Sequence, residues 1–428
     1  MTRAKSDGLL LVVLGSLVFV IFGATLTTSS PGMMGDFRIQ YYPARCLIHQ
    51  CDPYNEAHVT QTYRAASGDQ RNTPAESLQL ITRYVYPPTA FALTAPFALL
   101  AFGPAHWAWM ATSCASLIVA GLLIWDLGAA SGPSLSGAMV GFLLANSVLI
   151  VTVGNVAGIV VGLAAIAVWC FIQERFVVIG AICLSISLLV KPHDTWLVWC
   201  YFLLAGKTYR KRSLQTLAAG AVLSLPAIFW VLHIAPHWID ELRSNLAYLS
   251  ALGATDPNPM GMVIDLQAAV IPFRNDPHIY NLVSYTICGA LLAVWSVLTL
   301  RMRPSLRTAI LGLATIAPLT MLPFYHRQCD AKLLLLTIPA SAMLWAEGNR
   351  MGRITTVLAA AGLLVTADIP WVIDIAALQH LKSFGWLLTA LQLVPAPLIL
   401  LCEAILFLWI YARQSESRYS DTVLAPAI

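Results

Sequence analysis

Apolar stretches long enough to cross a lipid bilayer recur along nearly the whole of this chain, and that recurrence limits its fold more than any single motif. Inside hydrocarbon every backbone N–H and C=O must be satisfied within the chain, so such stretches become helices. The first runs from about Gly8 to Leu26. Others are expected at roughly 105–126, 135–152, 156–173, 176–190, 194–206, 213–234, 279–300, 307–324, 331–346, 354–371 and 387–411. Together they make about twelve transmembrane helices and an all-α polytopic membrane protein. The composition agrees: 58% of the 428 residues are hydrophobic and only 11% are charged. Soluble chains lie nearer about half and a quarter.

Arg3 and Lys5 precede the first run, which is nearly twenty residues long and has no small-x-small cleavage site. It therefore reads as a retained helix with a cytoplasmic N-terminus rather than as a signal peptide. Thr89 to Phe102 is apolar but only about fourteen residues long, short for a span. Were it a full crossing, the cluster Lys207, Arg210, Lys211 and Arg212 would lie outside, against the positive-inside rule. A juxtamembrane or re-entrant helix started by Pro87-Pro88 returns that cluster to the cytoplasm. Arg175, Arg301, Arg303, Arg307, Arg350, Arg353, Arg413 and Arg418 follow it there. The chain then reads as one integral membrane domain over 1–428. Residues 27–104 form a first outer loop with juxtamembrane helices, 235–278 a second, and 412–428 a cytoplasmic tail.

The outer side collects the chemistry. Asp36 follows the first run in Gly35-Asp36-Phe37-Arg38, where low-dielectric surroundings raise the basicity of a carboxylate. Its plain alternative is a solvated loop residue. Lys191 ends one run, with Pro192, His193 and Asp194 directly after it; a lysine here either snorkels at a helix end or meets an anionic head group. Tyr325-His326-Arg327-Gln328-Cys329-Asp330-Ala331-Lys332 brings cations, an imidazole and a carboxylate to another outer helix end. Arg327 can hold a phosphate through two donors, or pair with Asp330. Gly154-Asn155 and Asp256-Pro257-Asn258-Pro259 are weaker signals, readable as turns. From Asp240 to Leu252 an amphipathic pattern suits a helix lying on the membrane as a lid.

Six of the nine cysteines lie within apolar runs, whereas Cys46 and Cys51 share one polar loop and suit a disulfide in an oxidising compartment. No cysteine–histidine spacing typical of zinc occurs. No basic block with interleaved aromatics suggests nucleic acid.

Taken together, Gly35-Asp36-Phe37 with Tyr41-Tyr42, Asp52-Pro53-Tyr54, Tyr86-Pro87-Pro88, Gly154-Asn155 and Leu189-Val190-Lys191-Pro192 resemble the membrane glycosyltransferases of the GT-C superfold. Within it they resemble glycosyltransferase family 87, which includes the mycobacterial polyprenyl-phosphate-mannose-dependent mannosyltransferases. The motifs carry the resemblance over about residues 8–210, and hydropathy alone carries the rest. One motif departs from the family: a turn that usually reads Gly-Gln-x-Asn is Gly154-Asn155-Val156-Ala157 here.

The resemblance implies an inverting transfer of a hexose, by expectation mannose, from a polyprenyl-phosphate donor to a lipid or glycan acceptor. The reaction would take place at the outer leaflet of a bacterial cytoplasmic (inner) membrane, with the active site facing the periplasm or exterior. Asp36 would be the general base. Lys191, His326 and Arg327 would hold the donor phosphate, while Arg38, Tyr41, Tyr42, Tyr86, Asn155, His193 and Asp194 would line the substrates. No cofactor and no metal are expected, because a monophosphate leaving group places less demand on a divalent ion. A secondary transporter or flippase of a lipid-linked or anionic solute is the main alternative. It favours charges near the midplane of broken helices rather than at outer helix ends. A non-catalytic scaffold would not need the clustered Asp, Lys, His and Arg.

Overall fold

The computed structural model describes residues 2–29, 34–67, 75–251, 263–368 and 390–423, with the side chains of 67, 75–77 and 415–423 excepted. The expected turn at Asp256–Pro259 lies outside the described residues, as do the adjoining ends of the spans expected at 354–371 and 387–411. Everything described is helix and connection, with a single isolated β-bridge and no strand among the described residues.

The chain begins with α1 (Arg3–Ser29), then the short helices α2 (Gly35–Ile48), α3 (Glu56–Ser67) and α4 (Ala75–Thr82). A 3₁₀ turn at Pro88–Ala90 leads into α5 (Phe91–Ala98). Eight residues at about 1.5 Å each give roughly 12 Å, far short of a bilayer. Next come α6 (Phe102–Ala129), α7 (Pro133–Ala145), α8 (Val148–Val153), α9 (Ala157–Ile172), α10 (Val177–Val190), α11 (Pro192–Leu204) and α12 (Lys207–Ile234). Beyond them lie α13 (Trp238–Ala251), α14 (Leu266–Val270), α15 (Pro277–Arg301) and α16 (Leu306–Met321). The described chain closes with a 3₁₀ segment Asp330–Thr337, α17 (Ile338–Ala346), α18 (Arg350–Val365) and α19 (Pro395–Val423).

Helix covers most of each expected span, but length separates them. Six helical stretches among the described residues are long and apolar enough to cross a membrane: 3–29, 102–129, 133–153, 207–234, 277–301 and 390–414. Three shorter apolar helices, α9, α10 and α16, accompany them. Among the described residues the protein is therefore all-helical, with the long apolar helices of a membrane protein. The remaining expected spans are shorter, as in α11 with 13 residues, and the stretch 133–153 itself breaks at Asn146-Ser147, where α7 gives way to α8.

Close backbone approach holds the N-terminal helix in place. A Cβ on Gly15 would lie 2.2 Å from the carbonyl oxygen of Gly141, so α1 and α7 meet nearly backbone to backbone. Small residues drive such packing where lipid removes the hydrophobic incentive for helices to associate. A second apolar cluster, apart from the main core, draws much of its bulk from the segment between α1 and α6. Phe37, Tyr41, Tyr42, Tyr54, Tyr63 and Tyr84 pack there with Trp109 of α6. Helix α13 docks on this cluster instead of standing alone, with Asn245 Nδ2 donating to the carbonyls of Tyr54 (3.0 Å) and Tyr84 (3.2 Å). Lys332 turns into the core, away from Lys191 and Arg327. Its ammonium contacts Asp368 (3.1 Å) and bonds the Asn146 carbonyl at 2.5 Å, and Asp368 Oδ2 accepts from Leu149 N–H at 2.7 Å.

Candidate active site

The turn after α8 sets the position of Asp36. Gly154 takes φ 71°, a region that favours glycine, and a Cβ there would meet Phe37 Cβ at 2.7 Å and Met34 Sδ at 2.9 Å. The bare turn lets the start of α2 close over it. Met34 N–H bonds the Thr152 carbonyl (2.9 Å), and Trp109 Nε1–H bonds the Gly154 carbonyl (3.0 Å). Asn155 then works at both ends of its amide. Its Oδ1 accepts from Ala157 N–H at 2.8 Å at the start of α9, which turns Nδ2 outward to donate to Asp36 Oδ2 at 2.6 Å. Asp36 itself is in the first turn of α2 and half-buried. Burial raises its pKa above the usual carboxylate range, against the opposing pull of the Asn155 bond and the charges of Arg327 and Lys191.

Lys191 stands at the break between α10 and α11, where Pro192 in the first turn of α11 fits the loss of an N–H donor. Its ammonium is buried between two carboxylates, Asp194 at 3.2 Å and Asp330 in shorter contact. Burial lowers the lysine's pKa, but Asp194 and Asp330 more than offset this and hold it protonated. Asp330 begins the 3₁₀ segment and also accepts from the Arg327 backbone N–H at 2.9 Å. The expected alternative pair of Arg327 with Asp330 thus takes the form of a backbone bond, while the carboxylate serves Lys191.

Asp194 organises a second group. Its Oδ1 lies 3.3 Å from His193 Nε2 and 3.5 Å from His326 Nε2. The His326 side chain is fully buried. Its backbone is fixed by Ile264 N–H bonding its carbonyl (2.9 Å) and by the bridge between Val263 and Arg327. Burial lowers His326, but the carboxylates of Asp194 and Asp330 leave its pKa raised. His193 is pushed down to about 4, chiefly by burial. Half-buried Tyr86 and Tyr325 border the cations, with Arg327 stacked over the Tyr325 ring, guanidinium carbon 5.4 Å from its centre. Burial raises both phenols, and each feels the charges of Lys191 and Asp36.

Asp36, Tyr86, Asn155, Lys191, His193, Asp194, His326 and Arg327 therefore share one neighbourhood. Three other expected substrate residues are committed elsewhere. Tyr41 is buried and donates its hydroxyl to the Leu100 carbonyl at 2.8 Å. Tyr42 is buried and stacked on Phe102, ring planes 7° apart. The Arg38 guanidinium also lies over Phe102, at 5.5 Å. Asp330 and Tyr325 join the site without having been singled out for it. The local signal for Asp330 was its position three residues after Arg327, at a helix start. Asp194 is 1% exposed and holds cations rather than facing open space.

The chain matched no curated protein and no solved structure in our comparisons. The model of glycosyltransferase family 87 matches residues 84–272, a stretch that starts and ends later than the motif resemblance over 8–210. It contains Tyr86, Asn155, Lys191, His193 and Asp194, whereas Asp36, His326 and Arg327 lie outside it. Over that stretch the chain is similar to glycosyltransferase family 87, a family of enzymes that transfer glycosyl groups.

Proposed function

We propose that the protein transfers a hexose, with mannose the first choice, from a polyprenyl-monophosphate donor to a lipid or glycan acceptor at the outer leaflet of a bacterial cytoplasmic membrane. The observation that carries this reading is one carboxylate of raised basicity, Asp36, set near Lys191 and Arg327 yet bonded to Asn155. A base and an anion-stabilising pair are what an inverting displacement requires at its two ends.

In this reading Asp36 takes the proton of the acceptor hydroxyl as its oxygen attacks the anomeric carbon. The bond from that carbon to the phosphate oxygen breaks, inverting the centre, and the electron pair leaves on the lipid phosphate. Lys191, Arg327 and His326 neutralise the charge that gathers there, which stabilises the transition state more than the bound donor. The aspartates around Lys191 keep the ammonium charged and aimed, and Asn155 holds one oxygen of Asp36 so that the other meets the acceptor.

The test uses purified full-length protein with a labelled polyprenyl-phosphate hexose and candidate acceptor lipids. The expected result is free polyprenyl phosphate appearing in step with glycosylated acceptor. In Asp36→Asn turnover should fall on the order of a hundredfold or more with donor binding retained. Movement of the lipid across vesicles with no release of sugar would favour a flippase instead.

A further inference from the structure

We propose that His193, Asp194 and His326 form a binding site for a divalent transition ion of the zinc class. Each residue offers one ligand atom, and the three atoms lie within 4.8 Å of one another.

The geometry is that of donors converging without a partner. His326 Nδ1 lies 2.7 Å from the Phe324 carbonyl oxygen, which only accepts, so Nδ1 carries the hydrogen. In the neutral ring that leaves the Nε2 lone pair pointing at Asp194 Oδ1, 3.5 Å away. His193 Nε2 approaches the same oxygen at 3.3 Å. Both contacts are long for hydrogen bonds; both Nε2 atoms and Asp194 Oδ1 are buried with no closer hydrogen-bond partner among the described residues, while Asp194 Oδ2 faces the Lys191 ammonium. Buried groups of this kind normally find one. A proton on one imidazole would join two of the three atoms and leave the third facing its neighbours unsatisfied. An ion at their centre joins all three.

The distances suit such an ion. Bonds of about 2.0–2.1 Å in tetrahedral array set ligand atoms about 3.4 Å apart. The two measured edges, 3.3 and 3.5 Å, bracket that value. The third edge, between the two Nε2 atoms, is no longer than 4.8 Å, so the imidazoles must draw somewhat closer to hold an ion. Two imidazoles and one carboxylate are the donor set of zinc-like ions, and three protein atoms leave a position open for an outside oxygen. The surroundings add what such sites usually have. The Phe324 carbonyl fixes the His326 tautomer, and Lys191 steadies the second Asp194 oxygen at 3.2 Å. This ion runs against the expectation that no metal is needed. Its seat beside Lys191 would let a phosphate oxygen fill the open position, and that step alone rests on the donor reading above.

The experiment measures metal, not transfer. Full-length protein in detergent, freed of any histidine tag, is stripped with EDTA, equilibrated with zinc chloride, desalted and assayed for metal. The expected result is about one zinc per chain, with an affinity at least about tenfold weaker in His193→Ala. Zinc should raise the melting temperature of the wild type and not of His193→Ala, while the two stripped proteins melt alike, which shows the variant folded. His326→Ala, more deeply buried, gives a second reading of the same loss. Wild-type protein that stays metal-free, with the imidazoles and Asp194 sharing only a proton, would overturn the proposal. Zinc retained equally in both variants would do the same. Because no donor is present, a failed transfer assay leaves the ion standing, and an absent ion leaves the donor reading standing.

Discussion

Asn155 Nδ2 reaches Asp36 Oδ2 at 2.6 Å across 119 positions of chain, joining the turn after α8 to the first turn of α2. That bond favours the charged carboxylate, against burial, which favours the neutral one. In Asn155→Ala the opposing influence is gone, so the pKa of Asp36 should rise further. A base works only when deprotonated, and activity is lost as pH falls through its pKa. The acid limb of the kcat/KM profile should therefore move to higher pH. A hydrogen bond to a charged group contributes about 1.5–3 kcal/mol to stability, so the melting temperature should also fall. An unchanged acid limb would mean that the bond does not tune the base.

Gly154 supports that bond from beneath. Gly154→Ala adds a methyl 2.7 Å from Phe37 Cβ at a positive φ, and either the turn or the start of α2 must give way. The expected cost is about 2 kcal/mol or more of stability, read as a lower melting temperature, with a fall in turnover beyond that of a matched alanine in α9.

Cys46 and Cys51 are joined in a disulfide, Cα atoms 5.0 Å apart, at the end of α2. A closed loop of six residues is worth about 2 kcal/mol in chain-entropy terms. Non-reducing mass spectrometry of intact protein should find the two linked, and Cys46→Ser with Cys51→Ser should lower the melting temperature without moving the acid limb set by Asp36. Both cysteines alkylating freely without reductant would refute the link.

The sequence exposed single site residues more readily than their relations. Asp36, Lys191, His326 and Arg327 stand out because a charge at the end of an apolar run is costly unless it is used. Nothing local says that Lys191 meets Asp330, since the pair spans 139 positions and depends on how α11 and the 3₁₀ segment pack. Lys332 misled for the same reason, as its partner Asp368 lies beyond the next two helices. Tyr41 and Tyr42 are expected as substrate residues from the family resemblance, and nothing local announces that their rings pack against Phe102. Helical content was plain from hydropathy; the number of full crossings was not, because α9, α10 and α16 are apolar but short.

The cations test the donor site, and their surroundings decide which variants are informative. Lys191 is buried between Asp194 and Asp330, so Lys191→Ala strands two carboxylates and should cost about 3–5 kcal/mol of stability whatever the function. Its effect on turnover is interpretable only beside a variant that relieves the excess charge, such as Lys191→Ala with Asp330→Asn. Arg327 is half-buried and lies over Tyr325, making it the cleaner probe. Arg327→Ala should lower turnover more than donor affinity, since charge on the phosphate oxygen grows as the bond breaks. Arg327→Lys keeps the charge but loses the planar fork, and should recover only part of the activity. If both cations act on one phosphate, removing them together should cost less than the sum of the separate losses. Normal transfer in Arg327→Ala and in the charge-relieved Lys191 variant would move the donor phosphate elsewhere while leaving Asp36 in place as the base.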